Sequence, residues 1–213
     1  MTAALEILRQ IQRLQAPNTA KLRVLRRAWS AKLKNAPGRD IVKLALALRN
    51  LNDTCRWIGY ELILCHKHAP SLLTPRDVMR LGEGIHSWDT VDCFGLFIAG
   101  PAWRERRIPD SMIHRWARSR DLWWRRAALV ATVALNMKAR GGTGDPRRTL
   151  AVCRMLVDDR EDMVVKALSW ALRAVAARDP DAARDFLAQH RGRLAARVIR
   201  EVRNKLTTGL KNP

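Results

Sequence analysis

A tryptophan and a carboxylate one helical turn apart, Trp88 and Asp92 in Ser87-Trp88-Asp89-Thr90-Val91-Asp92, are the residues of this chain best suited to chemistry. With Asp92 at zero and about 100° per residue, Val91, Phe94, Phe97 and Ile98 fall within an arc of roughly 140–260°, the face that packs inward. Trp88 falls at about −40°, beside Asp92 and away from the apolar arc. An indole gains more from burial than almost any other side chain, so its outward position calls for a reason. Its ring face attracts cations and stacks on nucleobases, and a neighbouring carboxylate stabilises developing positive charge.

A second helix repeats the pattern. In Val164-Val165-Lys166-Ala167-Leu168-Ser169-Trp170-Ala171-Leu172-Arg173, Trp170 lies opposite the apolar set Val164, Val165, Leu168, Leu172 and Val175. Lys166 and Arg173 are its neighbours and form a basic rim. Two outward tryptophans, a carboxylate and this rim suit a flat cationic or nucleobase-like ligand. The competing reading is that both rings pack against a further layer of helices.

Asp121-Leu122-Trp123-Trp124-Arg125-Arg126-Ala127-Ala128-Leu129-Val130 is apolar nearly all round, which places it inside the fold. Arg125 and Arg126 within it are costly unless each guanidinium meets an anion. That anion is either an internal carboxylate such as Asp92 or Asp121, or a backbone phosphate, whose geometry suits a planar guanidinium. The pair alone leaves both partners open.

The elements that must position these residues are all helical. Apolar periodicity runs from end to end, and no segment alternates as a strand does. Breakers such as Pro17-Asn18-Thr19, Pro37-Gly38, Asn52-Asp53, Gly100-Pro101, the Gly141–Pro146 run and Asp179-Pro180 divide the chain. The resulting twelve helices are 3–15, 19–34, 38–50, 53–68, 75–84, 88–100, 109–118, 121–138, 145–157, 161–179, 181–190 and 195–207. Thr74-Pro75-Arg76-Asp77 reads as an N-cap with proline at the first helical position. Short helices joined by short turns predict an all-α fold, an α-solenoid of HEAT-like antiparallel pairs with a basic concave face and a spacing of roughly 35–40 residues. A compact orthogonal bundle is the competing architecture. One domain spanning 1–213 is expected at this length.

Forty Lys and Arg stand against 20 Asp and Glu, a formal charge of +20. That excess predicts a polyanionic partner, nucleic acid ahead of a membrane surface. The clusters Arg104-Glu105-Arg106-Arg107, Arg115/Arg118/Arg120, Arg147-Arg148 and Arg191 to Lys205 are individually solvated faces and collectively a phosphate track. Cys55, Cys65, Cys93 and Cys153 show no CxxC spacing, and His66 and His68 point to different faces of one predicted helix, so neither zinc nor disulfides are expected. A reducing cytoplasm, with the protein on the nucleoid, fits that usage. The N-terminus lacks the apolar run of a secretory signal, and no segment has the roughly 18 apolar residues of a membrane span.

In order and approximate spacing, Trp88-Asp89-Thr90-Val91-Asp92, Arg125-Arg126-Ala127-Ala128 and Lys166-Ala167-x-x-Trp170-x-Leu172-Arg173 resemble the AlkD-like DNA alkylation-repair glycosylases. The resemblance covers about residues 40–190, and its Trp-Asp-Thr-Val-Asp string is the most specific part. It implies HEAT-like repeats around a basic groove and removal of cationic alkylpurines, 7-methylguanine and 3-methyladenine, from DNA to leave an abasic site. It also implies a damaged nucleotide that stays stacked. Trp88 and Trp170 would be the cleft aromatics, Asp92 the catalytic carboxylate, and Arg126, with Arg125 beside it, the phosphate-binding arginine. The region Met1–Lys34 departs from the family by being shorter.

The chemistry is self-consistent. An alkylated purine leaves as a neutral base, and an ionised Asp92 stabilises the oxocarbenium-like sugar left behind. No lysine shares the face of Asp92 as a Schiff-base nucleophile, so hydrolysis without lyase activity is expected. No metal or organic cofactor is called for, and a monomer suffices. The alternatives are a non-catalytic solenoid that binds damaged or branched DNA or a protein partner, and an RNA-binding helical repeat.

Overall fold

The computed structural model describes residues 2–213, which form helices joined by turns, with no strand among them. The all-α, solenoid-type class expected from the sequence is what these residues adopt. The domain read over 1–213 contains two compact units, one ending at Gly84 and one running from Ile85 to Pro213.

The first unit comprises α1 (Ala3–Gln12), α2 (Thr19–Lys32), α3 (Gly38–Leu48), α4 (Asp53–Cys65), a 3₁₀ turn at Pro70–Leu72 and α5 (Pro75–Gly82). The start signals work as read. The Asn18 and Asn52 side chains accept hydrogen bonds from the Lys21 and Cys55 amides. Thr74 and Asp77 form a reciprocal capping box with Pro75 at the first helical position. The α3/α4 pair, joined by a four-residue turn and hence antiparallel, is the centre of this unit.

The second unit comprises α6 (Trp88–Phe94), a π turn (Gly95–Ala99), α7 (Gly100–Arg104), α8 (Asp110–Ala117), α9 (Leu122–Asn136), a 3₁₀ turn (Lys138–Arg140), α10 (Pro146–Met155), α11 (Asp162–Ala176), α12 (Pro180–Gln189) and α13 (Ala196–Thr208). As its composition requires, α9 is the central element. Residues 126–136 are all buried, and α6, α7, α8, α10 and α11 all pack on it. An aromatic cluster of Phe94, Trp116 and Trp124, with ring centroids 5.0–6.0 Å apart, locks α6 and α8 against the start of α9.

The helix expected to stop at Gly100-Pro101 does not stop. Residues 88–104 stay in helical conformation, because Gly100 N–H donates to Gly95 O, one residue further back than in an α-helix. This widened turn makes room for the Pro101 ring, which in an ordinary α-helix strikes the preceding turn. Glycine is needed here for proximity. A Cβ on Gly95 would lie 2.6 Å from Val130 Cγ1, and one on Gly100 would lie 2.4 Å from Ala134 Cβ and 2.8 Å from the Ala131 carbonyl. Gly100→Ala therefore destabilises. Overpacking costs about 1–3 kcal/mol and outweighs a helix-propensity gain of at most about 1 kcal/mol. Thermal denaturation checks this, and an unchanged or raised melting temperature would show that α7 and α9 can separate at no cost.

The repeat that is faint in the sequence is explicit in the ion pairs. Arg26–Glu61, Arg39–Asp77 and Arg49–Glu83 in the first unit join residues 34–38 positions apart. Asp92–Arg126, Arg125–Asp159, Asp158–Arg193 and Asp162–Arg197 in the second are separated by 34 or 35. Each pair connects one helical layer to the next at nearly the expected period.

Candidate functional site

Trp88 opens α6 and is 59% exposed, the most exposed large apolar side chain among the described residues. Ser87, before it, receives no amide on its side chain and instead bonds the Asp89 and Thr90 side chains, which fixes the approach to the helix. One turn on, Asp92 lies near the lip of the core, its side chain 17% exposed. Val91 and Phe94 on either side are fully buried, as their arc predicts.

Arg126, in the first turns of α9, meets Asp92 in a two-point fork. Its Nε donates to Oδ1 at 2.9 Å and its Nη2 to Oδ2 at 2.8 Å. Its Nη1 donates to the Met163 carbonyl in the first turn of α11. With its side chain only 7% exposed, this guanidinium joins three helices. Of the two partners open from sequence, the structure shows the internal carboxylate. Arg125 is likewise committed, to Asp159 at 2.7 Å and to the Ser119 and Arg120 carbonyls. Planar bidentate pairing of this kind is the strong form of a charged hydrogen bond.

Asp92 differs from the other perturbed aspartates. Hydrogen bonding to cations holds Asp158 and Asp162 below the ordinary carboxylate value, and at Asp77 bonds from Arg39 and Thr74 outweigh burial with the same result. At Asp92 burial wins and raises the carboxyl, although Arg126 opposes it by hydrogen bond and charge; Asp89 adds a smaller upward push. A carboxyl held in tension between desolvation and a fixed cation marks a functional candidate.

Trp170 is half-buried and lines a cleft of about 500 Å³ with Lys138, Arg173, Arg178 and Lys205. Trp88 and Asp92 are not among the residues lining it. Lys166 pairs with the exposed Asp162 at 2.7 Å. Arg173 donates to Ser169 Oγ at 3.3 Å and lies 3.9 Å from Glu201, and burial lowers its proton affinity while Glu201 opposes that. Glu201, buried and accepting a 2.6 Å bond from Ser169, went unread in the sequence. Its signal was available, since it sits between Val198 and Val202 on the buried stripe of α13. An acid on such a stripe needs a partner. Among the described residues no three His, Cys, Asp or Glu side chains cluster as a metal site, and no helix is long and apolar enough to cross a membrane.

A family described as DNA alkylation repair enzyme matches residues 12–206, and the chain belongs to it. That membership gives the protein a role in the repair of alkylated DNA. No curated protein matches the chain.

Proposed function

We propose that this protein is a monofunctional DNA glycosylase that hydrolyses the N-glycosidic bond of cationic alkylpurines, 7-methylguanine and 3-methyladenine, in duplex DNA. The observation that carries this reading is the largely buried Asp92 carboxylate, raised by burial and clamped by Arg126, one turn from the exposed Trp88. A cationic purine needs little help to leave, so the site's task is to stabilise the oxocarbenium-like sugar and direct water to it. Asp92 does so through the 17% of its side chain that stays exposed. Arg126 offsets much of the carboxylate's charge at distance, so the contribution is a short-range contact. Trp88 offers its ring to the charged nucleotide, at about 0.5–2 kcal/mol. Trp170 lines its own cleft with a basic rim. The test is release of free base, with an abasic site left behind, when wild-type protein meets 7-methylguanine duplex.

A second reading has its own support. Asp92–Arg126 is one of seven ion pairs at the repeat spacing, so it also suits a non-catalytic helical module that binds damaged or branched DNA. Protein that binds alkylated duplex and releases no base would establish that reading.

In either case DNA is held as a polyanion by a monomer of charge +20, in the cytoplasm and on the nucleoid. Binding is expected to show little sequence preference and to weaken about 10³–10⁵-fold between about 50 and 200 mM salt, the response of a protein with six to ten phosphate contacts. Fluorescence anisotropy on unmodified duplexes of differing sequence measures this. A flat salt response would exclude phosphate contacts as the source of affinity.

A further inference from the structure

We propose that the first unit carries a phosphate-binding site in the cleft between the C-terminal ends of α2 and α4, with Lys34 and Lys67 as its charged ligands. This site does not depend on the base-release reading. The cleft holds about 560 Å³ and is lined by Ser30, Lys34, Asn35, His66, Lys67 and His68 over an apolar wall that includes Ile41 and Leu62; no acid lines it.

The unit's carboxylates leave these two lysines unneutralised. Its six carboxylates, Glu6, Asp40, Asp53, Glu61, Asp77 and Glu83, are each engaged by another cation: Lys32, Lys43, Arg56, Arg26, Arg39 and Arg49. Lys34 and Lys67 are among the cations left with no carboxylate of the unit to neutralise them, and they are the two that line this cleft. Two ammonium groups lining one cleft that holds no acid favour an anion there.

The neutral groups point the same way. His66 Nδ1 accepts from the His68 and Ala69 amides, at 3.2 and 3.1 Å, so the proton of the neutral ring is on Nε2. That Nε2 and the Ser30 hydroxyl are both buried without a hydrogen-bond partner in the protein. Unsatisfied buried polar groups are rare and call for an acceptor. Lysine ammoniums, a hydroxyl, an imidazole N–H and the Asn35 amide together offer more donors than a planar carboxylate accepts. A phosphate, with three terminal oxygens, matches them, and the remaining volume admits the organic group of a phosphate ester. The phosphate is either that of a free ester or that of a DNA strand end.

Calorimetric titration of the full chain with inorganic phosphate, against chloride at equal ionic strength, tests the site. Saturable phosphate binding is expected in the wild type. In Lys34→Gln/Lys67→Gln it weakens by about a hundredfold, since each of the two charged hydrogen bonds contributes about tenfold. Lys43→Gln, which removes one charge from a lysine already paired with Asp40, leaves it unchanged. A duplex with 5′-phosphates that binds more tightly than its 5′-hydroxyl counterpart, a preference lost in the double variant, identifies DNA ends as the source. Equal binding of the two duplexes, with phosphate binding still lost in the double variant, identifies a free ester. Wild-type titrations in which phosphate behaves as chloride, a double variant equal to wild type, or a Lys43→Gln loss as large as the double variant's would each overturn the site.

Discussion

Asp92→Asn abolishes most release of 7-methylguanine, a loss of about 10²–10³-fold, the range found when one fixed group facing developing charge is removed. The substitution also disturbs the clamp. Asparagine keeps one oxygen for Arg126 and turns an amide against the second guanidinium N–H, so the melting temperature falls as well. Rates are therefore compared at a temperature where both proteins are folded. The second variant, Asp92→Asn/Arg126→Gln, removes charge at both ends of the pair and regains stability without regaining release. The pH profile gives an independent reading. Activity needs the ionised carboxylate, and burial raises Asp92, so the acid limb of the wild-type profile lies above the pH at which an ordinary aspartate protonates. Base release at wild-type rates by Asp92→Asn would remove Asp92 from the chemistry and leave the binding module as the function.

The helical elements were legible because their signals are local. Asn18, Asn52, Thr74, Asp145 and Asp179 each cap the helix that their position announces. The outward place of Trp88 followed from the angle between it and Phe94, and its exposure agrees. What was hidden depends on contacts between layers. Gly100-Pro101 has the composition of a stop, and the helix continues only because a widened turn forms where Gly95 and Gly100 let α9 approach. The partner of Arg126 was hidden for a related reason. Asp92 lies 34 residues before it, one repeat away, but a phosphate would satisfy the same guanidinium equally well. Only the backbone geometry, which also brings the Met163 carbonyl within reach, selects the carboxylate.

That selection makes Arg126→Ala the sharpest test of what the pair is for. All three guanidinium nitrogens have protein acceptors, and truncation strands a carboxylate that is only 17% exposed. Breaking such a pair from one side costs about 3–5 kcal/mol, which in a chain of this size lowers the melting temperature by roughly 6–20 °C. Arg126→Lys recovers little, because one ammonium cannot fill both arms of a fork and also reach Met163. A phosphate ligand predicts the reverse pattern. In that case the alanine variant melts close to wild type, binds DNA more weakly, and loses about one unit from the slope of log affinity against log salt. Melting curves and salt titrations on the same two variants separate the cases. A fall in melting temperature with an unchanged salt slope assigns Arg126 to holding Asp92 in place. Base release then falls with it, because the carboxylate is no longer held where the sugar's charge develops.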